Sequence, residues 1–395
     1  MELLTIVHAR KIDYLPIIYE FTGKITRHIL FYDHDKTERD YAYELKASIE
    51  KLNKKYNTET EIAMIEIDED SKKDMQRIAE VFSGKSEEIY LNGAGADTAL
   101  FTVLSSIVLR NEGQVVAYDN EDNTYNLITK DGFFNKEIEN NMNLEDFLLL
   151  MGETILEEQS KEKIVKQKEE LELLFSDAKR MFNIRFLLKQ RKTKELKTRY
   201  PKVIEALKKL DIVDEYSNMK GQEAFVRFGY LFEAFVYIQV EKFAFDDVKV
   251  GARVRFDEGQ VERRNIEVTN EFDILTIKDN KIGFIECKMG DSLDPLGSIY
   301  KSDSIMEYFG QSASSLIVNI ERNKTPHKKK SKKNFGESLI YRAETKRVMI
   351  YNAFDFSTNK FRSKIKQAFN VELKEEHQKK FEKDGLKSLQ DRWER

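Results

Sequence analysis

The chain has 395 residues, of which 34% are charged, and a formal net charge of −4. This near balance excludes strong attraction to nucleic acid by the field of the whole molecule, so such affinity must come from local clusters of lysine and arginine. One cysteine excludes a disulfide framework and a cysteine-rich zinc site. No apolar run is long enough to cross a membrane, and we expect a soluble, cytoplasmic protein of two or three domains.

Residues 1–130 alternate short β-rich runs with helical segments. The predicted strands are Leu3–Val7, Arg27–Tyr32, Glu61–Ile67, Glu88–Leu91 and Gln114–Tyr118. The predicted helices between them are Thr37–Tyr56, Ser71–Phe82 and Thr98–Arg110. This rhythm predicts an α/β fold with a doubly wound, Rossmann-like parallel sheet and helices on both of its faces.

Two loops of this predicted sheet are candidates for ligand binding, because ligands bind beyond the carboxyl ends of parallel strands. The first strand is followed by His8, Ala9 and Arg10. The fourth strand is followed by Asn92, Gly93, Ala94, Gly95, Ala96, Asp97 and Thr98. The glycines permit close backbone approach, and the amides of the next helix form an anion site. The second loop is predicted to bind phosphate, with an ordinary strand-to-helix turn as the alternative.

Residues 143–220 are predicted to form a charged helical linker. Leu144–Leu156 is apolar at helical spacing, Arg185–Tyr200 is basic, and Pro201–Tyr216 is predicted to be a further helix. A dimerising helix, a spacer and a helix-turn-helix all stay open for this segment.

The apolar helical stretch Gly229–Ile238 contains a single charged residue, Glu233. A carboxylate within an apolar helix needs a partner, and a metal ion is a suitable one. The alternative is that Glu233 lies on a solvent-exposed stripe of the helix.

The segment 270–288 contains two apolar runs that flank a polar turn at Asp279-Asn280, which predicts a β-hairpin. Asp273 lies on its first strand, and Glu286 and Lys288 lie on its second strand. Because side chains alternate along a strand, Glu286 and Lys288 share one face, and Cys287 points to the other. Two carboxylates and an ammonium crowded together favour a bound divalent metal ion.

This constellation suits the hydrolysis of phosphodiesters. Asp273 and Glu286 are predicted to hold Mg²⁺ or Mn²⁺, with the backbone carbonyl of Cys287 as a further ligand. The metal would polarise the phosphate and acidify a bound water. Lys288 would orient that water or stabilise the transition state. The alternative is an exposed hairpin with a surface ion pair.

The region after the hairpin contains a predicted helix, Ser298–Phe309, and two predicted strands, Ser315–Ile320 and Arg347–Asn352. Between the two strands lies a lysine-rich run, which is either a loop that contacts phosphates or a solvated surface loop. Its candidate nucleic-acid-binding residues are Lys328, Lys329, Lys330, Lys332 and Lys333.

The order of Asp273, Glu286 and Lys288 resembles the Asp…Glu-X-Lys core of restriction-endonuclease-like nucleases, in which a preceding helix often carries an acid such as Glu233. The whole arrangement is similar to the ancillary effector nucleases of type III CRISPR systems. The resemblance implies a C-terminal nuclease domain with a mixed sheet, in which Lys301 assists. It also implies an N-terminal CARF domain, formed with the loops after the first and fourth strands, that binds a cyclic oligoadenylate.

We therefore expect a homodimeric antiviral endonuclease that cuts DNA, RNA or both when cyclic tetra-adenylate binds. The expected divisions are a sensor domain (1–142), the helical linker (143–220), the nuclease domain (221–369) and a charged helical tail (370–395). Two alternatives remain: a constitutive restriction or repair nuclease that needs no second messenger, and a non-enzymatic regulator that senses a nucleotide and binds DNA.

Overall fold

The computed structural model describes most of the chain, and the predicted helix Ser71–Phe82 lies outside the described residues. The described residues are 1–8, 11–67, 88–93, 98–221, 223–256, 268–289, 295–320, 337–352, 356 and 359–379. The chain divides into two compact units. The first comprises residues 1–156, 253–270 and 279–281, and the second comprises residues 157–252, 271–278 and 282–395.

The first unit contains a seven-stranded sheet. Its strands are β1 (Glu2–Ile6), β2 (Arg27–Asp33), β3 (Glu61–Ile67), β4 (Ile89–Asn92), β5 (Gln114–Asp119), β6 (Thr124–Thr129) and β7 (Gly132–Glu137), in the order β3-β2-β1-β4-β5-β6-β7. The first five strands pair in parallel, and β6 and β7 add an antiparallel hairpin at one side. The order of the strands reverses between β1 and β4, which is the topological switch point where such sheets bind ligands.

Within the described residues, four α-helices accompany this sheet. They are α1 (Leu15–Glu20), α2 (Lys36–Tyr56), α3 (Thr98–Arg110) and α4 (Leu144–Met151). Asp35 caps α2 by accepting a hydrogen bond from the amide of Thr37 at 2.8 Å. Leu100, Leu104 and Val108 of α3 are buried against the apolar residues of the sheet. Their spacing of four residues places them on one face of the helix, as expected for a helix that packs on a sheet. The expected doubly wound α/β fold is confirmed.

The helix predicted over Leu144–Leu156 ends earlier than expected. Gly152, directly after α4, adopts a left-handed conformation with φ 91°, and this conformation ends the helix. The residues that follow form a strand, β8 (Thr154–Glu157). Apolar character alone did not separate the helix from this strand, because a short apolar run fits either element.

The second unit begins with helices. They are α5 (Lys161–Lys166), α6 (Lys168–Phe175), α7 (Ala178–Lys189), α8 (Thr193–Arg199), α9 (Pro201–Lys209) and α10 (Glu223–Val240). Helix α9 stops at Lys209, shorter than predicted, because the chain turns at Asp211 with φ 60°. Buried Phe175 packs its ring against Phe228, Phe232 and Phe235 of α10, which joins the helices to one core.

A second, six-stranded sheet has the order β13-β12-β11-β10-β9-β8. Its further strands are β9 (Asp247–Phe256), β10 (Val268–Lys278), β11 (Lys281–Met289), β12 (Ser314–Ile320) and β13 (Val348–Asn352), and its helices are α11 (Pro295–Phe309), α12 (Glu337–Thr345) and α13 (Asn359–Phe369). Asp279 and Asn280 both have positive φ, as in the two-residue turns that join antiparallel strands. Since β11, β12 and β13 pair in parallel, the sheet is mixed as expected.

Among the helices of the described residues, none combines the length and the apolar character that spanning a bilayer requires.

Candidate functional site

The predicted β-hairpin forms the middle of the second sheet. Asp273 lies on β10 between Phe272 and Ile274, which are 2% and 0% exposed. Its Oδ2 accepts a hydrogen bond from the backbone N–H of Cys287 on β11 at 2.6 Å. The structure therefore brings Asp273 directly beside the Glu286-Cys287-Lys288 segment.

Glu286 is the centre of a cluster of charged side chains. It is 9% exposed, and its Oε1 pairs with Nζ of Lys288 two residues further along the same strand. Nζ of Lys301, on α11, lies 3.8 Å from Oε2 of Glu286. Two ammonium groups thus neutralise one buried carboxylate, and both would be available to a phosphate that approaches this face.

Cys287 lies between these two residues, and its side chain is buried in the apolar core. Burial raises the pKa of its thiol well above the usual range, and the charge of Asp273 raises it further. The thiol therefore stays protonated, and only the backbone of Cys287 is available to the site. The role of its carbonyl as a metal ligand stays a prediction.

Glu233 lies on α10, and the charges of the hairpin shift its pKa. Burial raises its pKa first, and the charges of Asp273, Glu271 and Glu286 raise it further. The pKa of Asp273 is raised in the same way, by burial and then by the charge of Glu286. Glu233 is half-buried and lies within electrostatic reach of Asp273 and Glu286, rather than on a solvent-exposed stripe of the helix.

The chemistry of these donors fits a divalent cation. Mg²⁺ and Mn²⁺ prefer carboxylate oxygens, and a cation would relieve the mutual repulsion that raises the pKa values of Glu233 and Asp273. Among the described residues, no three acidic, histidine or cysteine side chains are close enough to enclose a metal ion. In this structure Lys288 and Lys301 compensate the charge of Glu286, and a cation bound by Asp273 and Glu286 would share that carboxylate with them.

Sequence reasoning missed two neighbours of the cluster. Glu271 precedes Asp273 by two residues on β10, so both side chains lie on one face of the strand. Tyr230 precedes Glu233 by three residues on α10 and is 44% exposed. The charge of Glu271 is the first cause that raises the pKa of Tyr230. Spacings of two on a strand and three on a helix were the signals that would have identified them.

In the first unit, the predicted ligand-binding loops leave the carboxyl ends of β1 and β4. Tyr14, which is fully buried, connects them. Its carbonyl oxygen accepts a hydrogen bond from Nδ2 of Asn92 at 3.0 Å, and its hydroxyl donates to the carbonyl oxygen of His8 at 3.4 Å. The two rings of His8 and Tyr14 also meet edge to face. Nothing in the sequence singled out Tyr14.

Gly93 is required by packing as well as by its place in the loop. A Cβ atom built there would lie 2.1 Å from the ring of Phe101 on α3. Asn92 is completely buried, and within the described residues its Oδ1 has no hydrogen-bond partner. Thr98 begins α3, at the helix end that attracts anions.

Several predicted site residues lie outside the described part of the chain. In the first unit these are Ala9, Arg10, Ala94, Gly95, Ala96 and Asp97, and in the second unit these are Lys328, Lys329, Lys330, Lys332 and Lys333. Their roles remain predictions from the sequence.

The fold and the site define a protein with a doubly wound α/β unit and a mixed-sheet unit that presents an Asp…Glu-X-Lys hairpin. No family model matches the sequence, and no curated protein matches it. Solved structures do match it over almost its whole length. Protein VC1899 from Vibrio cholerae has a TM-score of 0.70 and 16% sequence identity, with 92% of this chain and 97% of that chain covered.

A second solved structure is that of Can2 from Sulfobacillus thermosulfidooxidans in complex with cyclic tetra-adenylate. Its TM-score is 0.64 at 13% identity, with 93% of this chain and 99% of that chain covered. At such identities the likeness shows the fold, which is the two-domain fold that the resemblance implied.

Proposed function

We propose that this chain is a metal-dependent endonuclease that a cyclic oligoadenylate activates, with cyclic tetra-adenylate as the expected activator. The observation that carries the proposal is the meeting of Asp273, Glu286 and Lys288 on one hairpin, with Glu233 within their electrostatic reach. The fold shared with Can2, whose structure holds cyclic tetra-adenylate, supports the choice of activator.

In this proposal the residues of the hairpin have separate roles. Asp273 and Glu286 would hold Mg²⁺ or Mn²⁺, which when bound would supply Lewis acidity to the phosphate and to a water nucleophile. Lys288, beside Glu286, places a positive charge where negative charge develops on the phosphate. Lys301 contacts the same phosphodiester from α11, and Glu233 holds the carboxylate of Asp273 or a bound water in place.

The activator binds at the switch point between β1 and β4. His8, Asn92 and Gly93 line this binding site, together with the other residues of the two loops. The backbone amides at the start of α3 donate hydrogen bonds to the phosphates of the activator. A cyclic ligand with two-fold symmetry matches a homodimer in which both subunits present the same loops. Binding shifts the dimer toward an arrangement that cuts nucleic acid, as antiviral defence in a type III CRISPR system requires.

A cleavage assay tests this proposal. Single- and double-stranded DNA and RNA are incubated with Mg²⁺ or Mn²⁺, with and without cyclic tri-, tetra- and hexa-adenylate. Cleavage that needs both metal and one ring size supports the proposal. Full cleavage without any ring supports the constitutive nuclease, and nucleic-acid binding without cleavage under any condition supports the regulator.

A further inference from the structure

Helices α7 and α8 and the residues beside them carry an unusual concentration of positive charge. Residues 178–202 contain ten lysines and arginines and one acid, Glu195, in a chain whose net charge is −4. Glu195 is paired with Arg199 at 2.7 Å. Since helices α7 and α8 occupy most of this segment, the charge is held on a folded surface rather than on a tail.

These two helices form a pocket of about 250 Å³ that combines cations with aromatic rings. The residues that matter for its chemistry are Phe182, Arg185, Phe186, Lys189, Lys192 and Arg199. The ring of Phe186 is 50% exposed. Lys189 and Lys192 are exposed, and neither forms an ion pair with another described residue. A base stacked on the half-exposed ring of Phe186 would cover it, and the phosphates beside that base would meet the exposed Lys189 and Lys192.

The pocket is connected to the hairpin acids through one helix. The guanidinium of Arg185 lies over the ring of Phe225 at 5.1 Å, and Phe225 belongs to α10. Glu233 follows eight residues later on the same helix, which corresponds to about 12 Å along the helix axis. A nucleic-acid strand that passes the hairpin therefore needs only a short further segment to reach the pocket.

We infer that the pocket between α7 and α8 is a second nucleic-acid-binding site, which holds a single-stranded segment of the substrate outside the cleavage site. Lys189 and Lys192 contact phosphates, and the exposed ring of Phe186 stacks on a base. Such pairing of cations with an aromatic platform is typical of sites that bind single strands without sequence preference. This inference rests on the proposed nuclease function, because it assigns the pocket to the same substrate.

Fluorescence anisotropy of a labelled single strand of about 20 nucleotides tests the inference. The full chain is used with cyclic tetra-adenylate and a chelator, so that binding is measured without cleavage. Lys189→Gln/Lys192→Gln should weaken binding and reduce the slope of log affinity against log salt by about 1.4. The matched control is Lys163→Gln/Lys166→Gln, which removes the same charge from α5 and should leave the slope unchanged.

Phe186 provides a second, charge-free test. Phe186→Ala should weaken binding about fivefold or more, whereas Phe186→Tyr keeps an aromatic face and should bind like the wild type. Loss of binding in Phe186→Ala with retention in Phe186→Tyr supports stacking and excludes misfolding as the cause. Equal affinity in all of these variants, or no binding of the single strand by the wild type, would overturn the inference.

Cleavage assays on the same variants separate this inference from the proposed function. If the wild type cuts nucleic acid and the pocket variants bind it normally, only the inference fails. If the pocket variants lose binding and the wild type never cuts, the pocket is supported and the nuclease assignment fails. For a substrate too short to reach the pocket, the variants should retain the wild-type rate.

Discussion

The Oδ2 atom of Asp273 and the backbone N–H of Cys287 form a hydrogen bond of 2.6 Å that joins the two strands of the central hairpin. This bond directs the carboxylate of Asp273 toward the strand that carries Glu286 and Lys288. Glu286 and Lys288 follow Asp273 by 13 and 15 positions in the sequence, and they become its neighbours because the Asp279-Asn280 turn sets the register of the two strands.

Substitution of the hairpin residues should stop cleavage without affecting the sensor. Asp273→Ala, Glu286→Ala and Lys288→Ala should each reduce the cleavage rate on the order of 10²-fold or more, because each removes a predicted metal ligand or cation. Calorimetry with cyclic tetra-adenylate should give wild-type affinity. Lys278→Ala, at the end of β10 and paired with Asp246, is the control expected to cut normally. Cleavage by Glu286→Ala at the wild-type rate would show that the hairpin is not the active site. Chelation of the metal should stop cleavage by the wild type.

The raised pKa of Glu233 predicts a pH-dependent stability in the absence of metal. The unfolded chain releases this proton near its ordinary pKa of about 4.3, whereas the folded protein retains it to higher pH. The stabilisation is therefore complete below the unfolded pKa and is lost as the pH rises through the folded pKa. Urea unfolding in a chelator should show this decline for the wild type and a smaller decline for Glu233→Gln. Glu223→Gln, at the exposed start of the same helix, should follow the wild type.

Metal should affect the same titration. A divalent cation binds the deprotonated carboxylates, so Mn²⁺ should bind more tightly as the pH rises and should offset the loss of stability. Glu233→Gln should reduce the cleavage rate and raise the metal concentration that is required. Cleavage by Glu233→Gln with an unchanged rate and metal requirement would place Glu233 outside the site.

Replacement of Gly93 should disable the sensor. A methyl group at this position meets the ring of Phe101 at 2.1 Å, so Gly93→Ala must displace the loop backbone or the ring. We expect loss of cyclic tetra-adenylate binding and of activation, with the hairpin intact. Adding Phe101→Leu should restore part of the binding because it creates space. If the activator does not bind the wild type, the assignment of this loop to activator binding is refuted. Normal binding by Gly93→Ala would show that the loop does not contact the activator. From the sequence, we expect the same loss for Gly95→Leu.

The lysine-rich segment should contribute to substrate affinity. Deletion of residues 328–333 removes five lysines and should reduce the salt slope of nucleic-acid binding by roughly 0.7 to 0.9 for each lost phosphate contact. Activator affinity should not change. A slope equal to that of the wild type would mean that the segment is a solvated surface loop.

The turn of the hairpin should be important for stability. Asn280, which groups with the first unit, has φ 59° and accepts a hydrogen bond from the amide of Met142 at 2.8 Å. Asn280→Ala leaves that buried amide without its acceptor and places alanine in a left-handed conformation, so it should destabilise the protein by about 2 to 4 kcal/mol. Asn280→Gly also loses the hydrogen bond but tolerates the positive φ, so denaturant unfolding should rank it between the wild type and Asn280→Ala. Equal stability of all three proteins would contradict this role.

The sequence by itself was sufficient for the fold class and for the hairpin. Alternation of β-rich and helical segments identified the parallel sheet, and two apolar runs around Asp279-Asn280 identified the turn, because both are local patterns of period and conformation. The spacing of Glu286 and Lys288 determined that they share a face, since side chains alternate along any strand.

Only the tertiary structure decided which distant residues meet. The hydrogen bond of Asp273 to Cys287, the contacts of Tyr14 with His8 and Asn92, and the approach of Lys301 to Glu286 depend on the packing of separate elements. The end of α4 at Met151 and the strand after it likewise depend on the φ of Gly152, which apolar periodicity does not report. Local pattern specifies elements, whereas long-range contacts arise from the assembly of their buried faces, so no single segment of the sequence contains them.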